Sequence, residues 1–391
     1  MSGQRTPAPM RVGLLGCGNI SEAYCQGLAG SPHARLVACA DHSLARAVHL
    51  AARHRLRALT IDHLLEASDI DIIVNLTPPA AHAHTGVEVL RAGKHLYLEK
   101  PLATSLDEAR LLIATAEQRG LRIGCAPDTF LGASHQACRA VVDSGSLGAI
   151  ITGSAHMLSP GMEKWHPNPD FFFAPGGGPI LDVGPYHVTQ LVHLLGPVAR
   201  VTALGRIGRL ERTICNGPRR GAVLPVTVPT TMHAILQFQG GAVVNFSASW
   251  DVLRHRHGPE LELFGVQGSL TGPTPNFFGG SVEVYHAPAG WQEVDTAPWP
   301  FGAPNLELPD GELVSNRRGL GVTDMAAAIR RGVPHRASAE LAYHVLDVLL
   351  AIEQSSANGV TLAIGSTVAR PAPLPPGSDR TVFAHRPTAG T

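Results

Sequence analysis

Two short stretches bring together side chains that can hold a charged ligand or move a proton. In Glu99-Lys100-Pro101 a carboxylate and an ammonium stand beside a proline that fixes the local chain direction. The second stretch is the run Gly176-Gly177-Gly178-Pro179-Ile180-Leu181-Asp182-Val183-Gly184-Pro185-Tyr186-His187. Asp182, Tyr186, Thr189 and His193 recur at intervals of four, three and four, the spacing of one helix face, while Leu181, Val188, Leu191 and Leu195 mark an apolar face. A polar stripe on an otherwise apolar helix is expected to wall a cleft. Pro185 leaves two readings open: the helix starts near Pro179 and kinks, or it starts at Pro185 with Asp182 ahead of it.

A third stretch, Arg11 to Ala29, has the makings of a phosphate cradle. The apolar run Val12 to Leu15 stops at Gly16-Cys17-Gly18, and from Asn19 and Ile20 onward apolar residues recur with helical spacing. Two glycines let the backbone turn tightly and leave no Cβ where a pyrophosphate would approach the first N–H groups of the helix. A second strand, Leu36 to Ala40, ends in Asp41, an acidic side chain able to accept ribose hydroxyls.

The elements that must position these residues alternate. Strands are expected at 11–16, 35–40, 57–60, 70–76, 94–99 and 121–126, and helices near 19–29, 43–54, 80–92 and 105–119. Runs such as Ile70-Asp71-Ile72-Ile73-Val74-Asn75-Leu76 suit strands buried on both faces, hence a doubly wound parallel α/β sheet of the Rossmann kind over residues 11–127. Ser105 with Glu108 offers a capping box. Ligands bind beyond the carboxyl ends of such strands, where Lys100 stands.

From about Gly148 the texture changes to β-rich runs, with Gly240-Gly241 and Gln267-Gly268 placed for tight turns. Residues 128–369 therefore read as an α+β domain with an open-faced, mainly antiparallel β-sheet and one long helix near 179–195. Helices near 322–331 and 338–357 close it, the latter free to pack back on the first domain. Residues 1–10 read as a flexible leader and 370–391 as a Pro-rich tail. Five arginines between Arg206 and Arg220 read as a solvated or interface loop.

Lys plus Arg (31) equals Asp plus Glu (31), so nothing points to nucleic acid or a membrane surface. Six cysteines form no C-x-x-C pair, no long apolar run occurs, and the first ten residues lack an apolar signal segment. The expectation is a soluble cytoplasmic protein. No His/Cys/Asp cluster has metal-ligand spacing, and His82 with His84 suit a helix N-terminus better than a zinc site.

Taken together, the Gly16-Cys17-Gly18 turn, Asp41, Glu99-Lys100-Pro101, the Gly-rich run into Asp182 and the closing segment Arg318 to Met325 resemble the Gfo/Idh/MocA oxidoreductase family from Arg11 to about Gly365. The resemblance implies a Rossmann domain that binds NAD or NADP and a sheet domain that supplies substrate contacts and a homodimer or homotetramer interface. It also implies a sugar, cyclitol or related polyol as substrate. Cofactor contacts are expected from Gly16, Gly18, Asn19, Ile20, Asp41, His42, Thr77, Pro78, Glu99, Lys100 and Asp128. Asp41 disfavours a 2′-phosphate and so favours NAD, while His42, Ser43 and Arg46 leave NADP open.

By the same resemblance Lys100, Asp182 and the residue four beyond it line the reaction centre. Many members carry His there; here it is Tyr186, as in relatives of the glucose-fructose oxidoreductase and dihydrodiol dehydrogenase kind. Tyr186 would take the alcohol proton as hydride leaves for the nicotinamide. A free tyrosine titrates near about pH 10, so Lys100 is the cation that would favour phenolate or the developing alkoxide. Asp182 would accept a hydrogen bond from a sugar hydroxyl. His187, about 140° round the helix from Asp182, is the second choice of base. Trp165 and His166 are candidate substrate contacts. Two other functions fit the same features: a redox-neutral glycoside hydrolase or lyase using transient oxidation, and a non-catalytic nucleotide-binding regulator.

Overall fold

Aliphatic runs that do not alternate form the strands of a parallel sheet here, because both faces are covered. The computed structural model describes residues 8–309 and 311–377; residues 1–7 of the expected leader and 378–391 of the expected tail lie outside these, whereas Met10 already opens the first strand and the tail begins packed, with Arg139 donating to the Pro371 carbonyl and Leu374 buried. The chain divides into two compact units. One holds the chain up to Leu131, Asn316–Ala339 and the chain from Leu374; the other holds Gly132–Ser315 and Glu340–Pro373.

The first unit contains β1 (Met10–Leu15), α1 (Ser21–Leu28), β2 (Ala34–Ala40), α2 (Leu44–His54), β3 (Arg57–Leu59), α3 (Ile61–Glu66), β4 (Ile72–Asn75), α4 (His82–Arg91), β5 (His95–Leu98), α5 (Leu106–Gln118) and β6 (Ile123–Cys125). The six strands run parallel in the order β3-β2-β1-β4-β5-β6. Val12, Leu14, Ile72, Ile73, Val74, Leu96 and Leu98 are fully buried, which is why these strands read as continuous apolar runs. Strand order reverses between β1 and β4, the switch point where such sheets open a crevice. Ser105 caps α5 through the Glu108 N–H, but Glu108 Oε2 accepts from the N–H and hydroxyl of Thr104 instead of closing a box on Ser105.

The second unit contains α6 (Ala133–Asp143), β7 (Ile150–Leu158), α7 (Gly178–Leu195), β8 (Val198–Arg206), β9 (Glu211–Thr213), β10 (Val223–Pro225), β11 (Thr231–Phe238), β12 (Val243–Ser249), β13 (Leu261–Gly265), β14 (Ser269–Gly272), β15 (Glu283–His286), β16 (Gly290–Glu293), β17 (Leu306–Glu307) and β18 (Leu313–Val314). After α8 (Leu320–Arg331) in the first unit, α9 (Ala339–Asn358) and β19 (Leu362–Ala363) complete the second. Its nine-stranded sheet has the order β16-β15-β14-β13-β7-β12-β11-β8-β19. Gly240-Gly241 and Gln267-Gly268 join antiparallel neighbours as expected. β7 and β12 are parallel, since the chain between them crosses over through α7. Met232, Ala234, Leu236, Val244 and Phe246 are buried on one face. The register places Leu204, Ile235, Val243, Phe264, Tyr285 and Trp291 on the opposite face, where all are exposed.

Residues 316–339 group with the first unit, because Asp128 Oδ2 accepts from the N–H groups of Gly319 and Gly321 and the Cys125 N–H donates to the Ala337 carbonyl. α9 stays with the second unit: His344 Nε2 accepts from the Val198 N–H and Ser355 Oγ from the Ala203 N–H.

Candidate active site

At the end of β1 the chain turns through Gly16 with φ +105°, and a Cβ there would stand 2.8 Å from the Leu76 carbonyl oxygen. Gly18 and Asn19 are exposed, and a Cβ added at Gly18 would meet nothing within 4 Å. No side chain caps α1, whose N-cap is Ile20. Open space over glycine in front of an uncapped helix start fits a dinucleotide pyrophosphate. Asp41, nearly buried, braces this turn: Oδ2 accepts from the Cys17 N–H and Oδ1 from the Ser43 N–H, with His42 Nδ1 3.0 Å from Oδ1. His42 itself is exposed.

Beyond β4, Asn75 Oδ1 accepts from the N–H and hydroxyl of Thr77, which precedes the exposed Pro78. Beyond β5, Glu99 Oε1 accepts from the Tyr24 hydroxyl at 2.9 Å and Oε2 from the Lys100 N–H at 2.9 Å. Lys100 is half-buried. Sequence reasoning missed Tyr24, which sits on the apolar face of α1 and gives no signal apart from its hydroxyl.

Asp128 is 1 % exposed, and its partners are the backbone of Gly319 and Gly321 at the start of α8. Burial pushes its carboxyl up to about 6, against those hydrogen bonds and the charge of Arg318. Through these bonds Asp128 braces the first unit.

In the second unit α7 runs unbroken from Gly178 to Leu195 with Pro185 inside it, so the helix starts near Pro179 and Asp182 and Tyr186 lie one turn apart on one face. The expected polar stripe does not continue as a cleft wall. Thr189 is 2 % exposed and His193 fully buried, with Arg139 of α6 donating to the His193 carbonyl. His187 is 3 % exposed, its Nδ1 3.2 Å from the Val183 carbonyl, its Nε2 3.3 Å from Glu260 Oε2, its ring packed on Phe246. α7 is covered nearly all round beyond its first turns, and the Gln190 side-chain amide is buried there without a hydrogen-bond partner.

Trp165 is exposed, and its ring meets that of His166 edge-on at 5.3 Å. Burial holds the His166 imidazole below its ordinary value, against a backbone hydrogen bond with Asn168 and the charge of Asp182. Beneath this segment lies Arg212, read from sequence as part of a solvated loop but buried in fact. It pairs with Glu163 at 3.0 Å and Asp251 at 2.5 Å, with its guanidinium over Phe173. Isolated arginines in a turn-rich stretch gave no sign of this pairing.

Among the described residues no helix is long and apolar enough to cross a membrane, and no group of three or more His, Cys, Asp or Glu could hold a metal ion.

A six-stranded parallel sheet with a glycine turn at a helix start, followed by an α+β unit, is the architecture of a dinucleotide-binding Rossmann protein. Residues 10–126 match the family profile described as "Oxidoreductase family, NAD-binding Rossmann fold", and residues 135–271 match "GFO/IDH/MocA C-terminal domain". The chain belongs to the Gfo/Idh/MocA family of NAD(P)-dependent oxidoreductases acting on CH–OH groups. It is 30 % identical over 336 residues to a dTDP-3,4-didehydro-2,6-dideoxy-alpha-D-glucose 3-reductase of Streptomyces violaceoruber, covering 83 % of this chain and 87 % of that one. To the protein of the same name from Saccharopolyspora spinosa it is 28 % identical, covering 82 % and 91 %. A levoglucosan dehydrogenase solved with NADH and L-sorbose has the same fold, with a TM-score of 0.76 at 21 % identity over 91 % of this chain and 99 % of that one.

Proposed function

We propose that this enzyme transfers hydride between the nicotinamide and a secondary alcohol of a sugar, cyclitol or related polyol. The observation that carries this reading is the placement of Asp182 and Tyr186 one turn apart on α7, with the Asp182 charge felt by His166, whose ring meets that of the exposed Trp165. A carboxylate, a phenol and an aromatic face are the groups a polyhydroxylated ring engages. Relatives named for a dTDP-linked dideoxyglucose, and a neighbour solved with NADH and L-sorbose, support a carbohydrate substrate.

The bound nicotinamide supplies the hydride acceptor or donor. Gly16, Gly18, Asn19, Ile20 and Asp41 hold the adenosine and pyrophosphate end, and Thr77, Pro78, Glu99 and Lys100 the nicotinamide end. Tyr186 takes the proton of the reacting hydroxyl, Lys100 stabilises the negative charge that develops on its oxygen, and Asp182 orients the substrate by accepting from a hydroxyl. The positions of His187 and Asp128 favour positioning roles for both.

Purified protein, NAD or NADP and a panel of sugars and cyclitols, followed by the absorbance of reduced nicotinamide, tests this reading. Steady formation with one polyol, or consumption with the matching ketone, is expected. No turnover with any member in either direction overturns it.

The exposed row Leu204, Ile235, Val243, Phe264, Tyr285 and Trp291 supports self-association as a homodimer or homotetramer through the open sheet face. Six free cysteines support a reducing, cytoplasmic setting.

A further inference from the structure

His82, the first residue of α4, is fully buried, and both ring nitrogens lie against carbonyl oxygens. Nδ1 is 2.7 Å from Pro101 O, and Nε2 is 2.8 Å from Thr77 O. Neither carbonyl can donate. A neutral imidazole has one N–H and one bare lone pair, so it bonds one carbonyl and turns a lone pair toward the other. Only the doubly protonated ring donates to both.

The two carbonyls belong to the turns that leave neighbouring strands β4 and β5 at the carboxyl edge of the sheet, and the second turn carries Lys100. We propose that His82 is a proton-dependent positioning residue: doubly protonated, it clamps the Thr77 turn to the Lys100-Pro101 turn, and loss of one proton releases one of the two.

The surroundings leave that proton loosely held. Burial disfavours the cation most, and Lys100 and the N-terminal end of α4 add to this, while the two carbonyls and Glu99 favour it. The balance lies below the ordinary histidine value, so the clamp is complete on the acid side and opens as pH rises. On α4, the exposed His84 lies 3.5 Å from the half-buried Glu88, and the turn from Thr77 to Ala81 carries no titratable group.

Two measurements on the full chain test the clamp. Nitrogen-15 NMR of wild-type histidines, from the lowest pH at which the chain stays folded up to neutrality, should show both His82 nitrogens protonated at the acid end and one losing its proton as pH rises. NADH affinity, followed by fluorescence, should weaken roughly three- to tenfold across the same step. His82→Gln, which donates but does not titrate, should bind NADH without that step. A singly protonated His82 at every pH, or superimposable pH profiles for wild type and His82→Gln, overturns the proposal. The NMR measurement needs only the wild-type chain and decides the protonation state whether or not the variant folds.

Discussion

The Tyr24 hydroxyl donates to Glu99 Oε1 over 2.9 Å, tying the helix that starts at the dinucleotide turn to the strand end that carries Lys100. Both residues are buried. Burial, reinforced by the Glu99 charge, holds the Tyr24 phenol well above its ordinary value, so it remains a donor throughout the working pH range. The other Glu99 oxygen accepts from the Lys100 N–H, so one carboxylate orients both the helix and the turn.

Tyr24→Phe removes this donor and leaves a buried carboxylate oxygen short of a partner. Unfolding in urea should show a loss of about 1–3 kcal/mol. An unchanged midpoint and slope would mean that water replaces the hydroxyl at no cost.

The two glycines of the turn should respond differently to alanine. Gly16→Ala puts a Cβ against the Leu76 carbonyl at a left-handed φ and should destabilise the fold by about 1 kcal/mol or more. Gly18→Ala meets open space and should leave the melting temperature unchanged while weakening NADH binding, because the added methyl occupies the pyrophosphate approach. Calorimetry of both variants separates the effects, and unchanged NADH affinity in Gly18→Ala would contradict this placement.

The Asp128 carboxyl, raised to about 6 from 3.8, makes stability depend on pH. Between those values the folded protein holds the proton and the unfolded chain does not. The Asp128 contribution therefore falls as pH rises through the window and levels off above it. Stability of the wild type minus that of Asp128→Asn should drop by on the order of 2 kcal/mol between about pH 4 and 6. A flat difference would show that Asp128 ionises normally.

Arg212→Met strands Glu163, which is 1 % exposed, and removes the guanidinium that Asp251 shares. Breaking one side of a buried ion pair costs about 3–5 kcal/mol. Equilibrium unfolding should register that loss. Amide exchange should speed in the segment from Pro160 to Phe173, and uniform exchange would place the stress elsewhere.

Lys100→Ala and Tyr186→Phe should each lower turnover by about 10²- to 10⁴-fold. NADH should still bind to Tyr186→Phe with near wild-type affinity, since the proposed cofactor contacts do not include Tyr186. Turnover within a few-fold of wild type in either variant would remove that residue from the chemistry.

The sequence by itself determined the alternation of strands and helices in residues 11–127, the glycine turn, the acidic end of β2, the Lys100 turn and the hairpins at Gly240-Gly241 and Gln267-Gly268. Each rests on local physics: unbroken apolar runs, helical spacing, and residues that alone tolerate a turn. Tertiary structure decided the rest. Whether α7 begins before or at Pro185 could not be read locally, because packing against the sheet and α6 carries the helix through a residue that would otherwise stop it. His187 and His193 share chemistry with an active-site base, yet Phe246, Glu260 and Arg139 enclose them. Asp128 finds Gly319 from 191 residues away, and that bond marks where the chain returns to its first unit. Periodicity specifies which face of an element is buried; only the fold specifies what that face meets.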